Sequence, residues 1–253
     1  MVAPLTPSEG WGVLHLFCKV RPGADGAAVT AAVKALTAPG DGDVHQVVPV
    51  AVLGHKADLA FVGIGPDLWR LRRFQADLQA AGLEVVDSYV SLTELSEYSA
   101  GVPDKQRYAR LHPVLPPDGM PAFCFYGMSK RREPDANWYT TPYDERLEMM
   151  YEHGTSGRTF AGRIIQLVTG STGLDDFEWG VTLFGVHPDD LKACVYTMRY
   201  DRASAVYADF GPFYTGLVAP LEDRGIHVEV HVDADEPPRL VLKHGTNPEP
   251  LDA

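Results

Sequence analysis

The sequence predicts an α+β fold in which two ferredoxin-like halves form a paired antiparallel-sheet α+β barrel. Three observations predict it. The apolar pattern alternates between strand and helix periods in the order β-α-β-β-α-β, that order returns after a Pro-rich and charged stretch, and 253 residues suffice for two small units. The expected organisation is an N-terminal half over 1–104, a connector over 105–121, a C-terminal half over 122–218 and an acidic extension over 219–253.

Trp11 to Val20 is an apolar run of strand character, and after Pro22-Gly23 the Ala- and Val-rich segment Asp25 to Leu36 is helical. Val44 to Leu53 and Leu59 to Ile64 are the next two strands. Pro66 to Ala81 places Leu68, Leu71, Phe74 and Leu78 at helical spacing, with Pro66 at its start and Gly82 just past its end. Leu83 to Leu92 completes the first unit as a strand. Gly101 to Met120 is rich in Pro, Asp and charge, as a connector over the surface is. Ala122 to Lys130 then begins the second pass, followed by a helix over Tyr143 to Phe160, strands over Arg163 to Thr169 and Phe177 to Val186, a helix over Pro188 to Met198 and a closing strand over Phe213 to Leu217. The two passes share no clear residue-level repeat. From Glu222 to the end there are eight acids and three Lys/Arg, with a hairpin expected between His227–Val232 and Arg239–Lys243 across Asp235 to Pro238.

With 45% hydrophobic residues and a net charge of −12, the composition is that of a soluble globular protein. A nucleic-acid face would need a dense basic stripe, and only Lys130-Arg131-Arg132 approaches one. Cys18, Cys124 and Cys194 are odd in number and each lies in an apolar run, so buried free thiols in a reducing cytoplasm are expected. No run of about 20 apolar residues could span a bilayer, and the N-terminus lacks the basic and hydrophobic blocks of an export signal.

On the strand over 122–130, alternation sets Tyr126, Met128 and Lys130 on one face: a phenol, a thioether and an ammonium in a row. A core tyrosine and a solvated rim lysine would account for that row equally well. His153 lies in a helix beside Gly154, Ser156 and Gly157, small neighbours that let a flat ligand approach an imidazole, although many partly buried histidines are merely hydrogen-bonded. Gln166 shares a face with Ile164 and Val168, so its amide needs a partner or a ligand. Arg110, Lys130, Arg131, Arg132, Arg158 and Arg199 flank these segments in an acidic chain, which suits a substrate with several carboxylates or simply a solvated surface. Phosphate-loop, Cys-x-x-Cys, His-Glu-x-x-His and Gly-x-Ser-x-Gly motifs are all missing. Asp175-Asp176 and Asp189-Asp190 precede a strand and open a helix, where acids serve turns and the helix dipole, and His187, His227 and His231 have no metal-like spacing.

As a set, these residues resemble the coproheme decarboxylases of the chlorite dismutase-like superfamily. The likeness covers about Arg110 to Leu217. It rests on Arg110-Leu111-His112-Pro113, Phe125 to Arg132, Asn137-Trp138-Tyr139, His153 to Arg158, Ala161-Gly162, Asp175 to Phe184, and Met198-Arg199-Tyr200-Asp201 with Ser204-Ala205. The N-terminal half resembles the family mainly by its pattern. The resemblance implies the paired ferredoxin-like fold, a homopentamer, and a heme pocket in the C-terminal half. It implies His153 as proximal iron ligand, Tyr126 as redox-active tyrosine, Met128 and Gln166 on the distal side, and Arg110, Lys130, Arg199 and Ser204 around propionates, with Trp138 as a secondary redox site. The implied reaction converts iron coproporphyrin III (coproheme) to heme b. Hydrogen peroxide oxidises the iron, the tyrosine gives up an electron and a proton, and two propionates leave as carbon dioxide while Lys130 positions a carboxylate and assists proton transfer. A transient contact with the coproporphyrin ferrochelatase that supplies the substrate is also implied.

Three positions depart from the family. Gly127 stands where proline is common, so that part of the strand is expected to be more mobile. His112 replaces an aromatic beside Arg110, and the acidic tail extends past the usual end. Two other functions fit the same pocket: a heme-binding or heme-transfer protein without turnover, and a chlorite dismutase, which is associated with a distal arginine where this chain has Gln166.

Overall fold

The computed structural model describes residues 3–39, 44–219, 226–231 and 239–244, the last two segments as paired backbone. In the first half, β1 (Gly12–Val20), α1 (Gly26–Thr37), β2 (Gln46–Leu53), β3 (Leu59–Gly65), α2 (Leu68–Ala80) and β4 (Leu83–Thr93) follow the expected order. Both helices start where a side chain takes up free backbone donors. Asp25 accepts from the amides of Ala27 and Ala28, and Asp67 accepts from Trp69. At the end of α2, Gly82 adopts φ +91°, and a Cβ there would meet the Ala24 backbone at 2.8 Å.

The connector is more ordered than its composition suggests. It contains α3 (Asp104–Leu111), an eight-residue helix with no buried side chain, whose short and polar sequence carries no apolar stripe to betray it. In the second half, β5 (Ala122–Lys130) leads into a small hairpin, β6 (Arg132–Glu133) with β7 (Ala136–Asn137), and a 3₁₀ turn over Trp138–Thr140. Then come α4 (Tyr143–Arg158), β8 (Ile164–Gly170), β9 (Trp179–Gly185), α5 (Pro188–Met198), the four-residue α6 (Arg202–Ala205) and β10 (Ala208–Val218). The last strand starts five residues earlier than its apolar pattern indicates, because a register shift between Phe210 and Phe213 interrupts the alternation. In the extension, β11 (Ile226–His231) pairs antiparallel with β12 (Arg239–His244). The joining residues Asp235 to Pro238 and the rest of the acidic tail lie outside the described residues, as do the side chains of His227 and His231.

Eight strands close into one barrel in the order β1-β3-β2-β10-β5-β9-β8-β4. Each half contributes four consecutive members, and the halves meet where β2 pairs with β10 and β4 with β8. The barrel interior is filled by Phe17, Val48, Val62, Phe123, Phe125, Phe184 and Tyr214 among others. On the outside, α1 and α2 cover the first half through Val33, Leu36, Leu71, Phe74 and Leu78.

The second half is covered unequally. α5 packs on the sheet through Leu191 and Cys194, whereas α4, sixteen residues long, buries only Met149 and packs mainly on α6 and α5. A helix that stands off its sheet leaves apolar strand surface open. The three cysteines are free and buried.

A few polar groups lie inside the barrel and pair with one another: Tyr89 with Ser171 at 2.5 Å, Thr169 with Ser91 at 2.8 Å, and His15 Nε2 with Thr182 at 2.8 Å. Among the described residues His15 Nδ1 has no partner, and burial lowers the pKa of this imidazole to about 3. Because the folded value lies below the unfolded one, the neutral form is favoured by folding. Its stabilisation is complete above pH 6.5 and is lost as the pH falls from 6.5 towards 3. We expect this site to remove roughly 2 kcal/mol of stability between pH 7 and pH 5. Urea unfolding at the two pH values should show that loss reduced by as much in His15→Leu, and an equal pH dependence in both proteins would rule out His15 as the cause.

Candidate functional site

The open surface lies on the outer face of β5. Tyr126, Met128 and Lys130 share that face, as strand alternation requires, and the ladder extends it sideways in rows. The Tyr126 row runs from Phe213 through Val181 to Val168, and the Met128 row from Phe210 through Trp179 to Gly170. Phe213, Phe210 and Val168 are 37–42% exposed, which is high for apolar residues facing a helix layer. At the end of the Met128 row, Glu94 accepts from the Trp179 indole at 2.9 Å, over Gly170, where a Cβ would collide with the carboxylate. Burial raises the Glu94 pKa.

His153 sits on α4, and its Nδ1 donates to Asp201 Oδ2 at 3.1 Å. Asp201 is buried and also accepts from Ser156 Oγ at 2.6 Å. A carboxylate on Nδ1 fixes the tautomer and leaves Nε2 as the basic nitrogen, the arrangement of a ligating histidine. Burial, and next the charge of Lys130, lower the His153 pKa against the opposing pull of Asp201, so the imidazole is neutral at pH 7. Among the described residues there is no cluster of three or more His, Cys, Asp or Glu that could hold a metal. The site therefore offers one protein nitrogen to a metal and leaves its other positions to a ligand.

Lys130 is buried instead of lying in solvent at the rim. Its ammonium donates to the Ala203 carbonyl at 2.5 Å and sits 4.6 Å from the centroid of the buried Trp138 ring. Desolvation brings its pKa down to about 8, with Glu178 opposing the shift. Tyr126 is buried beside Phe213, ring centroids 4.6 Å apart, and burial raises its pKa, so the phenol keeps its proton at neutral pH.

The other sequence candidates are placed less uniformly. Gln166 faces the open surface, and its amide meets only the sulfurs of Cys194 and Met198, each at 3.5 Å. Arg199, at the end of α5, is exposed and stacked on Tyr196 at 3.9 Å. Ser204 is buried in α6. Arg110 projects from the exposed α3, whose end contacts Trp11 and Thr93; among the described residues no contact joins it to the group around Lys130. His112 stacks on Tyr108 and meets Trp11 edge-on. Asp175 accepts from the distant Val90 amide, and Asp190, in the first turn of α5, pairs with Arg163.

Three residues escaped assignment from sequence: Asp201, Glu178 and the carbonyl of Ala203. Asp201 and Glu178 lie 48 and 46 residues from the partners His153 and Arg132. No local spacing reports such pairs. Gly127 has a packing role that its sequence position did not report. It faces the barrel interior beneath Phe177, whose ring would lie 2.5 Å from an added Cβ, and Gly211 lies against the same ring. The glycine there makes room for an aromatic plug.

A family profile described as chlorite dismutase matches residues 26–219. The coproheme decarboxylase of Staphylococcus carnosus is 43% identical over 183 residues, covering 68% of this chain and 72% of that protein. That of Staphylococcus saprophyticus is 44% identical over 184 residues with the same coverage. A protein of Natronomonas pharaonis named for heme binding is 43% identical over 182 residues, 66% of this chain but only 30% of its own length. Among solved structures, a heme-binding protein from Thermus thermophilus superposes with a TM-score of 0.74 at 34% identity, covering 88% of this chain and 97% of that one. Chlorite dismutase from Candidatus Nitrospira defluvii shares the fold, with a TM-score of 0.67 at 19% identity over 86% of this chain and 94% of that one.

The Gly127 contact is testable by a double-mutant cycle. Gly127→Val should destabilise the protein by about 1–3 kcal/mol through overpacking, and much less in a Phe177→Ala background. Equal losses in the two backgrounds, read from urea midpoints, would show that the ring is not what the glycine accommodates.

Proposed function

The chain belongs to the chlorite dismutase family, and from that premise we propose that it is a coproheme decarboxylase, removing carbon dioxide from two propionates of iron coproporphyrin III with hydrogen peroxide as oxidant and leaving heme b. One observation carries this reading: a buried neutral phenol and a buried ammonium stand on one strand face, under a helix that presents an imidazole and does not close on the sheet. Coproheme is the substrate and also supplies the redox chemistry when bound.

The residues fit such a ligand by shape and by donor chemistry. A flat apolar macrocycle would cover the half-exposed Phe210, Phe213 and Val168. His153 would hold iron through Nε2, with Met128 and Gln166 on the opposite side. Arg110, Lys130, Arg199 and Ser204 would take the propionates, the arginines by paired N–H donors and Lys130 as a point charge.

Each propionate gives up two electrons as it becomes a vinyl group and carbon dioxide; one peroxide takes the electrons and, with one proton, becomes two waters. Tyr126 holds its proton until it is oxidised. It then loses electron and proton together and takes a hydrogen atom from the β-carbon of the adjacent propionate, while Lys130 orients that carboxylate and carries a proton at Nζ. Trp138, in contact with the ammonium, is the second oxidisable ring.

Binding without turnover would need no oxidisable phenol beside a propionate, and the neutral amide of Gln166 cannot hold a chlorite-derived anion as a guanidinium does. We further propose, from the family resemblance, a homopentamer that meets a coproporphyrin ferrochelatase transiently, and, from the free buried thiols, a cytoplasmic setting. No helix among the described residues is long and apolar enough to cross a membrane.

Anaerobic loading with iron coproporphyrin III followed by peroxide titration should give a mass loss of two carbon dioxides and the heme b spectrum; bleaching without mass loss would reject the enzyme. Tyr126→Phe should bind the porphyrin yet fail to decarboxylate it, and normal turnover would remove Tyr126 from its role. His153→Ala should lose the axial-nitrogen spectrum of the iron, and an unchanged spectrum would exclude it as ligand. Because Lys130 is charged below a pKa of about 8, kcat/KM should fall as the pH rises through about 8, whereas a flat profile to pH 9.5 would contradict a role for the ammonium.

A further inference from the structure

Lys130 is held from behind by a group that the reaction itself does not require. Glu178, at the start of β9, is buried, and its own backbone is fixed on both sides: its N–H donates to the Met128 carbonyl at 3.1 Å, and its carbonyl accepts from Ser171 at 2.8 Å. The side chain then reaches two neighbours. Oε2 accepts from the Lys130 backbone amide at 2.8 Å, and Oε1 accepts from Arg132 Nη2 at 2.5 Å. Arg132 stacks over Tyr139 at 4.6 Å, the residue after Trp138. A single carboxylate thus ties together the end of β5, the β6 strand and the turn that carries the ring beneath the ammonium.

A neutral side chain could cap the Lys130 amide without the cost of burying a charge. The exposed side of the Arg132 pair is worth little in compensation, since that guanidinium side chain is 65% exposed. What only a carboxylate adds is negative charge, held at the Lys130 amide one lysine side chain from the ammonium, which it favours. The other charged groups are differently engaged. From α4 His153 is neutral and bonded to Asp201, and Arg131 turns away to Asp209 at 2.9 Å.

We propose that Glu178 is a positioning residue for Lys130, fixing its backbone at the end of β5 and keeping its ammonium charged against Trp138 and Ala203. This rests on the coproheme decarboxylase reading for its use in catalysis, but not for its physical content. The experiment is therefore made first on the porphyrin-free full chain, following the Lys130 ¹³Cε resonance against pH in lysine-labelled protein, with Lys130→Arg giving the assignment.

In Glu178→Gln the midpoint should fall by about one pH unit, as loss of one nearby charge dictates. Glu178→Asp should restore it, and Arg132→Gln, which frees the carboxylate from its competing cation, should raise it. Midpoints that coincide in wild type, Glu178→Gln and Arg132→Gln would overturn the proposal, and if Glu178→Gln does not fold, an unmoved Arg132→Gln would do so alone. In the loaded enzyme the alkaline limb of kcat/KM should move with the resonance. A moved resonance with an unmoved limb would uphold Glu178 as the holder of the ammonium while refuting the catalytic part assigned to Lys130.

Discussion

The candidate site depends on one four-residue helix. Asp201, just before α6, accepts from His153 Nδ1 and Ser156 Oγ, and Ala203 within it accepts from the Lys130 ammonium. These bonds draw α4 and β5 to a common anchor from opposite sides. α4 is thereby tied at its C-terminal half. Buried donors and acceptors left unpaired are expensive, so the anchor holds its three partners in place.

The barrel supplies the second constraint. Closure through β2–β10 and β4–β8 fixes the register of β5 between β10 and β9, and a slip of one residue would turn Tyr126, Met128 and Lys130 into the interior. Phe177 over Gly127 and Gly211 plugs the same region from within. Precision of the face thus comes from packing on the side away from it.

Electrostatically, the site runs against the bulk of the molecule. In a chain of net charge −12, Lys130 is a buried cation, whereas Arg132 and Arg199 remain exposed. The same desolvation that keeps Tyr126 protonated lowers Lys130 to about 8. One phenol and one ammonium therefore both hold their protons at neutral pH, the first neutral and the second charged, four residues apart on one strand.

Much of this was legible from residues alone. Strand and helix periods determined the element order, the duplicated topology and the shared face of positions 126, 128 and 130, because period and alternation are properties of neighbouring residues. The motifs around His153 and Tyr126 pointed to the family for the same reason. Short polar pieces such as α3 and α6 were hidden, since their stability comes from contacts and not from a periodic stripe. Tertiary structure alone decided that Lys130 is buried, that Asp201 holds His153, that Glu178 caps the Lys130 amide and that α4 buries little of itself on the sheet. Those facts join residues dozens of positions apart, and only chain folding brings such charges within the few ångströms over which hydrogen bonding and desolvation act.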